Sequence, residues 1–416
     1  MAVARRPPNI FLGGRRVRRP EGVNKGTMSR KTVILPKARR ARTGSPWIFA
    51  NEIRMDAAAK AVAPGSVVNV RGEDGRPFGT GYFNPHSLIA VRLLAEDCDV
   101  AVDADFFAAR IARALALRAA LYARPFYRLV HAEGDHLPGL VVDRFDDVLT
   151  VQTGTAGMER QEGAILAALD AVLHPKTVIL RNDAPARALE GLETHVRTVK
   201  GEGARIAVEE NGARYIADLM GGQKTGWYYD QRDNRAFIAA LARGKSVLDV
   251  YSYAGGFGVL AAKAGAKEVI CLDSSAPALA LAEESARANG VSIKPVKADA
   301  FEELERLAAA GERFDLVLAD PPPFVKSKKD LEPGAKAYRK LARLAAAVTG
   351  REGILKIASC SHNIPPERFA AECAAGIARA GRSARLIRQA GAGPDHPVHP
   401  FLPESAYLKV LVYALD

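Results

Sequence analysis

The chain lacks what would carry it into or across a membrane. No apolar run in its 416 residues reaches the roughly eighteen needed to span a bilayer. The N-terminus carries arginines without the apolar core of a secretory signal, so the expected location is the cytoplasm in which the protein is made. Cysteine is scarce as well: Cys98, Cys271, Cys360 and Cys373 are scattered, with no CxxC pair. That spacing argues against a disulfide framework and a structural zinc site and suits a reducing compartment. It leaves room for one working thiol. His131 and His136 have no matching cluster of ligands, and no metal is expected.

Acid is the minority charge, with 47 Asp and Glu against 59 Lys and Arg, a formal net charge of +12. Excess Lys and Arg suits a polyanionic partner, because phosphate neutralisation rewards it; a solvated basic surface is the plainer reading. Part of the excess lies at the start, where Arg5, Arg6, Arg15, Arg16, Arg18, Arg19, Lys25, Arg30 and Lys31 face a single acid, Glu21. Residues 1–28 cannot build a core and are expected to be a basic, disordered extension. Two uses are open for it, an RNA-binding arm or a segment ahead of a true start at Met28, and the second is favoured.

From residue 29 to 103 the signals are short β-branched runs and turns: Lys31–Leu35, Gly65–Val70, Gly79–Phe83 and Leu88–Arg92, with turn chemistry at 72–77. A small β-barrel is the economical reading. Lys37, Arg39, Arg40 and Arg42 precede Trp47 and offer a cationic, aromatic surface for RNA, against the alternative of a core Trp beside a solvated loop. Residues 104–204 read as a connecting helix to Ala123, strands at Arg128–His131, Gly139–Asp143, Val148–Gln152 and Val178–Leu180, and a helix at Glu159–Leu173. From about Arg205 to the C-terminus the pattern alternates strand and helix, the mark of a parallel sheet. Its strands are expected at Ser246–Val250, Glu268–Asp273, Ser292–Val296, Phe314–Leu318 and Gly353–Ile357. A last, antiparallel strand at Tyr407–Tyr413 closes the end of the sheet.

The segment Val247–Gly258 places a strand, an acid and a glycine turn before a helix. Glycines there admit close backbone approach, but Asp249 at the strand end would repel a pyrophosphate and welcome a cationic sulfonium amino acid. Asp273 ends the next strand at the usual spacing for a carboxylate on ribose hydroxyls, and Asp299 follows the third, within reach of an adenine amino group. Each acid alone has a bland reading as a cap or surface charge. Together they point to S-adenosylmethionine, with NAD the rival. The fourth strand ends in Asp320-Pro-Pro-Pro-Phe324, a rigid loop aimed at the ligand crevice, followed by basic Lys326, Lys328 and Lys329. The fifth ends in Ala358-Ser-Cys-Ser-His362, which puts Cys360 at the same edge, either as an inert buried thiol or as a nucleophile. Upstream, Gly221–Arg235 combines glycines, aromatics and polar groups that suit a loop covering the cofactor.

Taken jointly, Gln223-Lys-Thr-Gly226 with Asp230-Gln-Arg232, Tyr251–Phe257, Asp320-Pro-Pro, Ser359-Cys-Ser361, Asp395-His-Pro397, Pro403-Glu404 and Tyr407-Leu-Lys409 resemble the bacterial large-subunit ribosomal RNA cytosine-C5 methyltransferases that carry an N-terminal PUA domain. The resemblance runs from about Met28 to the C-terminus. It implies an α/β protein with three parts: a β-barrel PUA domain that binds RNA, a small α/β middle domain, and a Rossmann-like class I methyltransferase domain. It implies S-adenosylmethionine as cofactor, held by Gln223, Lys224, Thr225, Asp249, Tyr251, Ala254, Gly255, Phe257, Asp273, Asp299 and Asp320, and ribosomal RNA or a ribosomal subunit precursor as partner. Cys360 and Asp320 become the catalytic pair, with Arg39, Arg40, Lys326, Lys328 and Lys329 toward RNA. One departure stands out, since many RNA cytosine-C5 enzymes have a second cysteine where this chain has Pro322 and Pro323. The alternatives are direct methylation of a base amine, disfavoured by the extra proline, and a non-enzymatic assembly factor that keeps the cofactor. A homodimer is the default expectation for a soluble chain.

Overall fold

The computed structural model describes residues 30–36, 44–203, 205–223 and 225–416. The extension 1–28 and the residues Lys37, Arg39, Arg40, Arg42 and Lys224 lie outside these. Among the described residues no helix is long and apolar enough to cross a membrane.

The N-terminal unit is one five-stranded sheet in the order Thr32–Leu35, Ser66–Gly72, Pro77–Phe83, Val91–Ala95, Trp47–Ile48. The strand expected at Leu88–Arg92 begins later, because residues 84–90 are a turn closed by the Asn84 N–H on the Ala90 carbonyl. Leu88, an apolar residue that suggested a strand, is 76% exposed. Trp47 is half-buried and donates its indole N–H to Glu133 of the next unit at 2.8 Å. The two units are tied again at Glu190, whose buried carboxylate accepts from Asn84, Ser87 and Arg92.

The middle unit opens with a helix, Ala104–Leu121, started by the Asp103 side chain on the Phe106 N–H. It packs on a five-stranded sheet ordered His195–Lys200, Thr177–Asn182, Val148–Thr153, Leu140–Phe145, Phe126–His131. The single helix expected at Glu159–Leu173 is two, Ala156–Arg160 and Glu162–Leu173, broken at Gln161. Thr155 caps the first one early, and the absence of a side chain at Gly157 lets that turn lie against the Tyr82 ring.

The parallel pattern expected from Arg205 is preceded by a separate hairpin, Arg205–Glu210 with Ala213–Asp218. Its loop is Asn211-Gly212 with φ of 52° and 73°, the two-residue turn that twists with its strands. Then comes the large sheet, whose strands are numbered here along the chain: β1 Ser246–Val250, β2 Glu268–Asp273, β3 Lys294–Lys297, β4 Phe314–Ala319, β5 Thr349–Ser359, β6 Ala384–Ala390 and β7 Lys409–Leu415. Their order is β3-β2-β1-β4-β5-β7-β6. The first five are parallel, and β7 is antiparallel to both neighbours. The final strand is therefore antiparallel as expected, but it sits inside the sheet and not at its end. The edge belongs to β6, a largely exposed strand carrying Arg385 and Arg388, charges that suit an unpaired edge. The chain leaves β1 toward β2 on one side and resumes at β4 on the other, so a crevice forms at the carboxyl ends of β1 and β4.

Candidate active site

β1 is apolar until Asp249, and that carboxylate is 1% exposed. One of its oxygens accepts the Gly258 N–H at 2.8 Å, fastening the start of the helix Gly256–Lys263 to the strand. The other, Oδ1, is buried with no hydrogen-bond partner. Burial pushes the Asp249 acid up to about 7. Between strand and helix runs a turn in which Tyr251, Tyr253 and Gly255 have φ of 63°, 48° and 75°. Glycine adopts this conformation freely, whereas each tyrosine does so at a cost of about 1–2 kcal/mol. The turn is held by the Ser252 N–H on the Leu272 carbonyl and by the Tyr253 N–H on Asp273 at 2.9 Å.

Asp273, at the end of β2, also accepts from the Ser275 N–H through its second oxygen. A carboxylate accepts about four hydrogen bonds, so capacity remains for hydroxyls. Asp299 caps the helix Ala300–Ala309 with one oxygen, accepting from Phe301 and Glu302. Tyr251 stands beside both acids, its hydroxyl kept protonated by burial and then by the charges of Asp299 and Asp273. The covering loop contributes Gln223, whose N–H donates to the Tyr253 hydroxyl and whose amide oxygen accepts from Tyr228. Not every expected cofactor residue turns its side chain to the crevice. Thr225 is buried and donates to Asp143 of the middle unit at 2.5 Å, and Ala254 packs in the core with Tyr215 and Trp227. An unpaired buried carboxylate oxygen beneath a turn rich in backbone donors, with two further acids in line, is the donor set that a sulfonium nucleoside needs.

At the end of β4, both Asp320 oxygens accept from the Gln231 amide at 3.0 and 2.8 Å. Lys356 of β5 reaches the same carboxylate at 3.5 Å. This lysine is 0% exposed, makes no hydrogen bond, and lies 4.2 Å from the centre of the Phe257 ring. Burial depresses its pKa, and the charges of Asp320 and Asp249 oppose that. Cys360 follows β5, partly buried, with its Sγ 3.9 Å from the Pro321 carbonyl oxygen of the proline loop. The two expected catalytic side chains thus stand on neighbouring strand ends. Lys326, Lys328 and Lys329 are exposed on the continuation of that loop.

Sequence reasoning passed over Lys356, weighed His131 only as a metal ligand, and named Gln231, Tyr228 and His362 only within longer segments, without a partner for any of them. The one signal for Lys356 was a charge inside the apolar run Gly353–Ile357. Tyr228 packs edge-on to Tyr253 at 5.4 Å. Tyr407 stacks on His362 at 5.2 Å and donates to Asp230. His131 comes from the middle unit to face His396 at 4.9 Å, and burial holds it neutral.

Residues 35–96 match the PUA-like domain family, and residues 193–413 match the S-adenosylmethionine-dependent methyltransferase family. A protein named ribosomal RNA large subunit methyltransferase I from Shewanella denitrificans is 37% identical over 375 residues, 88% of this chain and 94% of that one. Its namesake from Photobacterium profundum is 36% identical over 376 residues, with the same shares covered. Among solved structures, a candidate SAM-dependent methyltransferase from Streptococcus mutans superposes with a TM-score of 0.78 at 20% identity, over 92% of this chain and 100% of its own. The structure of a second candidate methyltransferase, complexed with SAH, gives 0.79 at 20% identity over 92% and 99%. The turn after β1, the acids at the strand ends and these matches agree: the chain belongs to the S-adenosylmethionine-dependent methyltransferases of the ribosomal RNA large subunit methyltransferase I family, with a PUA-like domain ahead of the catalytic one.

Proposed function

We propose that the protein methylates C5 of a cytosine in large-subunit ribosomal RNA through a covalent adduct on Cys360. The observation that carries this reading is the placement of the Cys360 thiol at the end of β5, against the proline loop that presents Asp320. The names of the relatives point to the same class of RNA. When bound, S-adenosylmethionine supplies an electrophilic methyl group on its sulfonium. Asp249, Asp273 and Asp299, the Tyr251–Phe257 turn, Gln223 and the loop that includes Lys224 and Thr225 are the residues that would hold it. Arg39 and Arg40 with the PUA-like sheet, and Lys326, Lys328 and Lys329 on the rim, would meet phosphates.

Cytosine C5 is a weak nucleophile. Attack of the Cys360 thiolate on C6 forms a sulfur–carbon bond and pushes the ring electrons so that C5 becomes enamine-like. C5 would then take the methyl group as its bond to the sulfonium breaks and leaves a neutral thioether; a base would remove the C5 proton, and the returning electron pair would expel the thiolate. One difficult step becomes several easier ones. Asp320, fixed by Gln231 and Lys356, would contact N3 or the amino group of the base as charge moves into the ring. The target nucleotide must be unpaired or flipped out to reach this edge.

The test is methyl transfer to unmodified large-subunit RNA by the wild type and by Cys360→Ala, with the modified base mapped by mass spectrometry. Loss of transfer in the variant, with 5-methylcytosine as the wild-type product, is the expected result. Retained transfer, or a methylated amine as product, would replace the covalent mechanism with direct nitrogen methylation.

A further inference from the structure

Strand β7 puts Lys409 directly opposite Ser359 on β5, and the Lys409 ammonium donates at 2.7 Å to the carbonyl of Ser361. These two contacts bracket Cys360. The lysine is only 8% exposed. Each of the other buried cations, Arg118, Arg181, Arg187, Arg232, Arg235 and Lys356, has a carboxylate within 4.0 Å. Among the described residues Lys409 has none. An ammonium taken out of water without a counter-charge is costly, and one backbone carbonyl is a poor substitute. The sequence marks this residue only as part of the Tyr407-Leu-Lys409 motif, and neither cofactor binding nor the attack on C6 uses it.

We propose that Lys409 is the counter-cation that holds Cys360 as a thiolate in the free enzyme, a positioning residue that acts through the sulfur. The inference rests on the reading of Cys360 as nucleophile. Burial lowers the Lys409 pKa, and the charge of Cys360 opposes that shift. The hydroxyls of Ser359 and Ser361, on either side of the thiol, are both engaged with the Tyr338 hydroxyl at 2.8 and 2.9 Å. The ionisable groups around Cys360 include Tyr228 from the covering loop, Tyr338 from the helix Leu331–Val348 and Tyr407 ahead of β7. Burial keeps all three protonated and uncharged. The carboxylates of this edge are already engaged, Asp320 with Gln231 and Lys356, Asp230 with the Tyr407 hydroxyl, and His362 lies on the outer side against Glu404. Lys409 is a buried lysine of this group with no carboxylate within 4.0 Å among the described residues.

The experiment follows alkylation of Cys360 by iodoacetamide against pH in the full-length protein without RNA, read by mass spectrometry of the Cys360 peptide. It compares the wild type with Lys409→Gln, which keeps a donor but loses the charge, and Lys409→Arg, which keeps the charge. Methyl transfer is measured in parallel. The wild-type thiol is expected to titrate at least about one unit below the ordinary cysteine value of about 8.5. Lys409→Gln raises that value by about one to two units, and Lys409→Arg stays close to wild type. The kcat of Lys409→Gln falls about tenfold or more near pH 7 and recovers as pH rises, with KM for RNA unchanged. A wild-type thiol titrating at or above about 8.5 overturns the proposal, and this measurement needs no variant to fold. A folded Lys409→Gln with a wild-type thiol pKa also overturns it, leaving Lys409 a support for the Ser361 carbonyl. Undiminished transfer by Cys360→Ala is a different failure, that of the nucleophile reading itself.

Discussion

Two arginines of the middle unit, Arg118 and Arg128, and the charges of the catalytic edge are held in opposite ways. In the middle unit Arg118 is 0% exposed and is fully engaged: a two-pronged pair with Asp135 at 2.5 and 2.7 Å and bonds to the Arg128 and Asp395 carbonyls. Arg128 pairs with Asp143 in the same forked way. At the catalytic edge, Asp249 has a buried oxygen with no partner, Lys356 has no hydrogen bond, and Lys409 has a single carbonyl. Forked arginine pairs of the first kind specify one arrangement of strands. Underused charges of the second kind are expensive to hold unless a ligand completes them. On the function proposed above, the difference separates charge that serves the fold from charge that serves the reaction.

The largest effect is expected where a fully engaged charge is removed. Arg118→Met leaves Asp135 with only the His131 N–H and removes the guanidinium from two carbonyls, and it should cost about 3–5 kcal/mol in urea unfolding; a loss under about 1 kcal/mol would mean that the middle unit does not depend on this arginine. Next comes Asp320→Asn, which should lower kcat for methyl transfer on the order of a hundredfold while the unfolding midpoint stays near wild type. Asp249→Asn follows. Burial raises the Asp249 acid to about 7, and a sulfonium favours the ionised form. Cofactor affinity of the wild type should therefore rise about tenfold per pH unit up to pH 7 and level off above it, whereas the asparagine variant is flat in calorimetric titration. The sign for stability is opposite: the raised acid favours the fold below the ordinary carboxylate range, and that contribution is lost as pH rises through about 7. The smallest stability effect is expected for Lys356→Met, within about 1 kcal/mol of wild type, because Asp320 keeps Gln231 and is 25% exposed on its side chain. A loss equal to that of Arg118→Met would erase the contrast between the two regions.

Much of the catalytic half was legible in the sequence, for a physical reason. Central strands of a sheet covered on both faces carry short continuous apolar runs, Val247-Leu248 in β1 and Val269–Leu272 in β2, so the two strands run over the expected Ser246–Val250 and Glu268–Asp273. The acids at their ends stand out as the first charges after such runs. Polar or half-exposed strands carry no such contrast, and β6 and His195–Lys200 were missed. The Asn211-Gly212 signal was present but unread beside the longer alternating pattern. Residues that act across strands were the hardest to find. Lys356 and Lys409 gain their meaning from the register of β5 against β4 and β7, which no local pattern encodes. Thr225 went the other way, since its partner Asp143 lies in a different unit.

The two tyrosines held at positive φ in the turn after β1 bear on how fast the cofactor is captured. Their conformational cost is met when the protein folds, through Asp273 and the Leu272 carbonyl, so on the proposed reading this turn meets the cofactor already folded. Association then needs no ordering of this turn, and affinity differences among turn variants should fall on the dissociation rate.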